Sequence, residues 1–223
     1  VIRRFGAIGD VHAEDELLAA ALDRLAREPC DVVFTVGDMV DGRGDLERCC
    51  RLLRQRTVAV RGNHERWLLA DQARDLPDAH LRDELSAETL RWLDGLPATR
   101  TFDSIAGKLL LCHGVGEDDM ATLLPADDVP AHSQSSALQS VVARQVEIMV
   151  CGHTHQPMVR SLLGLLVVNA GTLHRDDKPG FVHVDLEQKL ARMFVIDPNT
   201  AEVLEAERVR FGTPGGDLWG AGW

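Results

Sequence analysis

The sequence predicts an α/β protein in which a parallel sheet covered by helices is followed by a run of β-hairpins. Three observations carry this expectation. Short apolar runs alternate with helical patterns through the first half of the chain. Those runs are apolar on both faces, as strands covered on both sides must be. After Pro157 the helical pattern gives way to closely spaced strands.

Taken in order, Ile2–Ile8 reads as the first strand. Leu17, Leu18, Ala21, Leu22 and Leu25 then share one helical face, and Pro29 ends that helix. Val32–Val36 is the second strand. A helix with Leu46, Cys49, Cys50, Leu52 and Leu53 on one side leads to a third strand, Thr57–Val60. From Asn63 to Leu96 the pattern is mostly helical, with Trp67, Leu68, Leu90 and Leu93 as core contacts. Strands recur at Thr99–Phe102, Leu109–Cys112 and Ile148–Cys151. A polar stretch, Gly116–Ser135, and a helix around Ala137–Arg144 separate the last two. The hairpin region comprises Met158–Leu163, Leu165–Asn169, Phe181–Leu186, Leu190–Ile196 and Glu202–Phe211, with a turn at Asp197-Pro198-Asn199. No repeat, low-complexity block or linker interrupts the pattern, so residues 1–211 are expected to form one domain and 212–223 a loose Gly-rich tail.

Composition narrows the function. Thirty-five acids against 24 Lys and Arg give the 223-residue chain a net charge of −11. General binding to nucleic-acid backbones runs on clustered cations, so this balance argues against it and against a polybasic membrane anchor. Six Phe, four Trp and no Tyr leave little for a base-stacking platform. Five cysteines with no C-x-x-C pairing read as reduced, mostly buried thiols. No apolar stretch approaches the ~20 residues of a membrane span, and no signal peptide precedes Phe5. The expectation is a soluble, cytoplasmic protein.

Five apolar runs end in a turn that presents side chains able to bind a metal. They lead to Asp10-Val11-His12, Gly37-Asp38, Gly62-Asn63-His64-Glu65, His113-Gly114 and Gly152-His153-Thr154-His155. Ligands of open α/β sheets bind outside the carboxyl ends of the strands, so these turns should converge. Singly the motifs are weak: D-x-H is common, and Gly-Asp after a strand is usually a turn. All five at strand ends of one chain are not a coincidence of turns. Two carboxylates, an amide and several imidazoles suit a pair of divalent transition metals better than Ca²⁺ or a lone Mg²⁺, and outnumber what one tetrahedral Zn²⁺ needs.

This ordered series, from about residue 2 to residue 185, resembles the calcineurin-like metallophosphoesterase superfamily. It is most similar to small bacterial and archaeal members related to phosphodiesterases and diadenosine-tetraphosphatase-like phosphatases. The short length and the Asn169-Ala170-Gly171-Thr172 turn point the same way. The resemblance implies a four-layer αββα sandwich with two mixed β-sheets. It implies that Asp10, His12 and His155 hold one metal, that Asn63, His113 and His153 hold the other, and that Asp38 bridges them. His64 would assist the leaving group. Two divalent ions against two carboxylates leave the site at about +2, enough to acidify a shared water whose hydroxide attacks phosphorus.

The expected function is therefore hydrolysis of small phosphate esters, phosphodiesters first, with phosphomonoesters or dinucleoside polyphosphates as alternatives and a catalytically silent protein-binding scaffold as the competitor from another class. Manganese is the leading metal, with Fe, Zn, Co or Ni as alternatives. Long nucleic acid and membranes are not expected partners. Protein phosphatases of the superfamily carry Asp-Arg-Gly after their second motif, whereas this chain reads Asp41-Gly42-Arg43-Gly44. The displaced arginine argues against that activity and leaves Arg43, Arg61 and His174 as second-rank substrate contacts. His183 is expected on an exposed strand face, His80 and His132 in solvent, and Glu117, Asp118 and Asp119 on a solvated loop.

Overall fold

The computed structural model describes residues 1–127 and 135–212. His132, Trp219, Trp223 and nearly all of the expected tail lie outside the described residues. The chain runs β1 (Arg4–Ile8), α1 (Asp15–Leu25), β2 (Val32–Thr35), α2 (Leu46–Arg56), β3 (Val58–Ala59), α3 (Asn63–Leu69), a 3-10 turn (Arg82–Glu84) and α4 (Ala87–Asp94). It continues with β4 (Arg100–Ser104), β5 (Gly107–Leu111), α5 (Ser136–Ala143), β6 (Ile148–Cys151), β7 (Met158–Leu162), β8 (Leu165–Asn169), β9 (Gly180–Asp185), β10 (Leu190–Ile196) and β11 (Val203–Arg210).

Helix starts follow from local chemistry. The side chains of Asp45, Ser86 and Ser135 accept hydrogen bonds from the backbone N–H groups of Arg48, Thr89 and Leu138, capping α2, α4 and α5. The apolar stripe of α1 buries the five residues its periodicity marks, Leu17 to Leu25.

The strands form two mixed sheets, ordered β11-β10-β9-β1-β2-β3 and β4-β5-β6-β8-β7. β1, β2 and β3 are parallel, as are β5, β6 and β8. Strand alternation then divides the core into three layers. Phe5, Phe34, Leu109, Leu111, Ile148, Val150 and Val182 pack between the sheets. Ile8, Phe181 and Phe194 face α1, α2 and α4. Leu110, Met149, Cys151 and Val167 face α5. The result is the four-layer αββα arrangement.

Three expectations need correction. The stretch after Leu69 is irregular as far as the 3-10 turn, because Asp71 takes a left-handed φ of 53° and Pro77 cannot continue a helix. The hairpin region is divided between the sheets: β7 and β8 form a hairpin in the second, while β9–β11 cross to the first. His183 is buried, not exposed. Alternation does place it opposite Val182 and Val184, but that face is covered by the helical layer, where His183 Nε2 lies 3.3 Å from the carbonyl of Pro29.

Candidate metal centre

The parallel strands deliver their carboxyl ends to one edge of the molecule. Asp10 and His12 follow β1, Asp38 follows β2, and Asn63 and His64 open α3 just beyond β3. His113 follows β5, and His153 and His155 follow β6, so the second sheet completes what the first begins. Two glycines make this approach possible. A Cβ on Gly62 would lie 2.2 Å from Asp38 Oδ1, and one on Gly152 would lie 2.5 Å from Asp10 Oδ1.

Two adjacent clusters result, Asp10–His12–His155 and Asp38–His113–His153, each with one donor atom per residue within 4.8 Å of the others. A third grouping, His12–Asp38–His64, links them. Asn63 Oδ1 joins the second cluster 2.8 Å from His113 Nε2, which is itself 3.1 Å from Asp38 Oδ2.

The hydrogen bonds around the rings fix which nitrogens face inward. His12 Nδ1 contacts the carbonyls of Asp41 and Val40 at 2.9 and 3.2 Å, and His113 Nδ1 contacts that of Val36 at 2.9 Å. Carbonyls only accept, so these Nδ1 atoms carry protons; the Nε2 lone pair of His12 points into the site, and His113 Nε2 faces the oxygens of Asn63 and Asp38. His155 Nδ1 donates likewise to Asp177 Oδ2 at 2.6 Å. The inward lone pairs of His12 and His155 then face each other at 3.1 Å. Asp10 Oδ2 is buried beside them without a hydrogen bond. Converging lone pairs and an unsatisfied buried carboxylate oxygen fit a cation between them.

The charges tell the same story. Burial raises the Asp10 carboxyl to about 6 despite the attraction of His113. Burial also lowers His12 to about 4. Asp38 is also buried, but the charge of His113 and its hydrogen bond outweigh desolvation and hold the carboxyl well below the usual range. His113 is raised reciprocally, to about 10, because Asp38 and Asp10 outweigh its burial. In the bare site a proton on His113 neutralises carboxylates that a divalent ion would otherwise neutralise.

His64 stands at the junction. Its backbone N–H donates to Asp38 Oδ1 at 3.0 Å, and its Nδ1 lies 2.7 Å from Asp41 Oδ2. Burial lowers its pKa, but the hydrogen bond to Asp41 and the charge of Asp38 win, so the net shift is upward. Asp41 is fixed in turn by Arg74, whose Nη2 donates to Oδ1 at 3.1 Å, and by the backbone N–H of His80 at 2.9 Å. His80 is thus part of this scaffold and not a solvated residue, since its Nδ1 accepts from the Asp41 backbone.

Sequence reasoning left Asp41, Arg74, Glu65 and Asp177 without roles. Glu65 is fully buried and accepts backbone hydrogen bonds from Asp38, Met39, Val40 and Gly62, tying the β2 and β3 turns together. The signal for it was an acid directly after Asn63-His64, at the third position of the helix that Gly62 caps. Nothing local marks Asp177, which meets His155 across 22 residues of sequence.

The second-rank residues separate. His174 lines the pocket beside His12 and His155. Arg43 does not line the pocket but pairs with Asp78, which does, at 3.1 Å, and with Asp176 at 3.0 Å. Arg61 is held through its backbone N–H to Pro97 and does not line this pocket. Of the acidic loop, Glu117 and Asp118 are exposed as expected, whereas Asp119 makes a two-point ion pair with Arg66 at 2.6 and 2.9 Å.

The backbone is also unusual here. His12, Ala13, Asp38, Asp41, His153 and His155 all adopt positive φ, between 44° and 68°. Such conformations cost non-glycine residues of order 1–3 kcal/mol each and gather at functional sites. All five cysteines are free thiols, four of them buried. Among the described residues, no helix is long and apolar enough to cross a membrane.

The family model of the calcineurin-like phosphoesterase superfamily domain matches residues 4–189. An uncharacterized protein of Methanocaldococcus jannaschii is 24% identical over 182 residues, spanning 76% of this chain and 70% of its own. Among solved structures, a metallophosphoesterase from Sphaerobacter thermophilus superposes with a TM-score of 0.64 at 20% identity, covering 95% of this chain and 89% of that one. An archaeal phosphodiesterase superposes with a TM-score of 0.56 at 16% identity, covering 86% and 99%.

Proposed function

The chain belongs to the calcineurin-like phosphoesterase superfamily, and from that premise we propose that it hydrolyses small phosphate esters, phosphodiesters foremost, with two divalent transition-metal ions, manganese first among them. The observation that carries this reading is the pair of donor clusters meeting at Asp38, with the His64–Asp41 pair beside them. Asp10, His12 and His155 would hold one ion; Asn63, His113 and His153 the other; Asp38 both. Bound there, the ions would supply an acidified water as nucleophile and neutralise the phosphoryl oxygens.

The chain's own part is to orient and to move a proton. One P–O ester bond breaks as one water is consumed, and the departing oxygen needs a proton. His64 Nδ1 is held by Asp41, which aims the opposite nitrogen at the site and favours the protonated ring. His64 is therefore assigned as the acid.

The diester preference is supported by the surroundings of His155. It lines both the pocket of about 230 Å³ that contains His64 and a neighbouring depression of about 490 Å³ that contains Gln156 and Lys178. A phosphorus between them has room for a substituent on each side. The −11 charge of the chain favours small substrates over long nucleic acids.

The test is a hydrolysis panel with Mn²⁺, Fe²⁺, Co²⁺, Ni²⁺ or Zn²⁺ and bis-p-nitrophenyl phosphate, p-nitrophenyl phosphate, cyclic nucleotides and dinucleoside polyphosphates. Turnover fastest on a diester is expected. No turnover of any ester with any metal would overturn the reading.

A further inference from the structure

The pocket that contains His64 is not lined for phosphate along its whole length. Its inner end is imidazole: His12, His64, His155 and His174. Its outer wall is Leu76 and Pro77, and Leu76 leaves 40% of its surface exposed, a large apolar side chain facing open space next to the centre. Among the described residues, no Lys or Arg lines the pocket, and its two acids are both paired, Asp41 with Arg74 at 2.9 Å and Asp78 with Arg43 at 3.1 Å. Arg43 is engaged by Asp78 and Asp176.

We infer that the Leu76–Pro77 wall is the leaving-group subsite, shaped for an apolar or aromatic alcohol. The inference deepens the phosphoesterase reading and rests on it. The leaving oxygen must depart toward the group that protonates it, so the alcohol it belongs to enters the cavity that His64 lines. There it meets an apolar surface, which favours apolar contact area.

The wall is placed, not loose. Its segment is anchored to the residue that orients the acid. Arg74 binds Asp41 and the carbonyl of His80, and the backbone N–H of His80 binds Asp41. The Ala79 N–H closes a turn onto the Leu76 carbonyl. One carboxylate thus sets both the direction of His64 and the position of the wall.

The test uses non-hydrolysable ligands on the full chain loaded with Mn²⁺, followed by calorimetry. Phenylphosphonate should bind about tenfold tighter than methylphosphonate, the order of effect of a modest apolar contact. Leu76→Asp should abolish that preference while metal content stays unchanged, and Leu76→Ala should reduce it. Equal binding of phenyl- and methylphosphonate, or a preference unmoved by Leu76→Asp, would overturn the subsite while ester hydrolysis stood. Failure of every phosphonate to bind, with no ester hydrolysed, would overturn the phosphoesterase reading and the subsite together.

Discussion

His113 and His155 hold corresponding places in the two donor clusters, yet they are secured in opposite ways. The His113 side chain is wholly buried and donates to the backbone carbonyl of Val36. The His155 side chain is 29% exposed and donates to the carboxylate of Asp177, itself 44% exposed. His113 is fixed by the sheet that surrounds it. In the other cluster His12 is likewise held by backbone carbonyls, and His155 relies on a surface side chain. The centre thus has one histidine whose support is adjustable.

That contrast can be broken at its shared member. Asp38→Asn should cost both halves, reducing bound metal to fewer than one ion per chain and kcat/KM by about 10⁴-fold or more, as for residues that act as a unit. Metal analysis with kinetics checks it; retention of two ions would remove Asp38 from the bridging role. His64→Ala should behave differently, keeping both ions while kcat falls by about 10²–10³-fold, most for poor leaving groups. Loss of an ion would show that His64 is a ligand and not the acid.

A smaller effect sharpens the asymmetry itself. Asp177→Ala should weaken one metal by about 10–100-fold, the usual effect of removing an outer carboxylate, and leave the other untouched. Titration with Mn²⁺ should then show one weakened and one normal binding step; equal weakening of both would contradict the division. The buried half has no such handle, because its support is a backbone carbonyl, but it has a pH signature in the metal-free protein. His113 is raised to about 10 from an ordinary value near 6.5. A raised histidine stabilises the fold fully below the unfolded value and loses that contribution as pH climbs through the folded one. The Tm of the metal-free chain should therefore fall by several degrees between about pH 6.5 and 10, and metal should suppress the fall. A flat Tm over that range would contradict the His113–Asp38 charge pairing.

The strand ends were legible because the chemistry needs a ligand immediately after an apolar run, and such a junction is visible in one dimension. Asp10, Asp38, Asn63, His113 and His153 could all be found that way. What supports them could not. Asp41 and Asp177 are ordinary loop acids until the fold brings them to His64 and His155. The face occupied by His183 was predicted, but alternation alone does not say whether helices or water cover that face. The stretch after Leu69 was misread because scattered Ala and Leu residues suggest a helix that Asp71 and Pro77 do not permit.

The left-handed backbone at His12, Asp38, Asp41, His153 and His155 carries a consequence for anyone who would engineer this chain. Glycine adopts that conformation without strain, while aspartate and histidine are several-fold enriched there among residues that have a Cβ. A selection for thermal tolerance alone would thus be drawn toward glycine at these very positions. It would arrive at a hardier molecule stripped of four of its seven candidate ligands, so stability and chemistry pull on the same few residues in opposite directions.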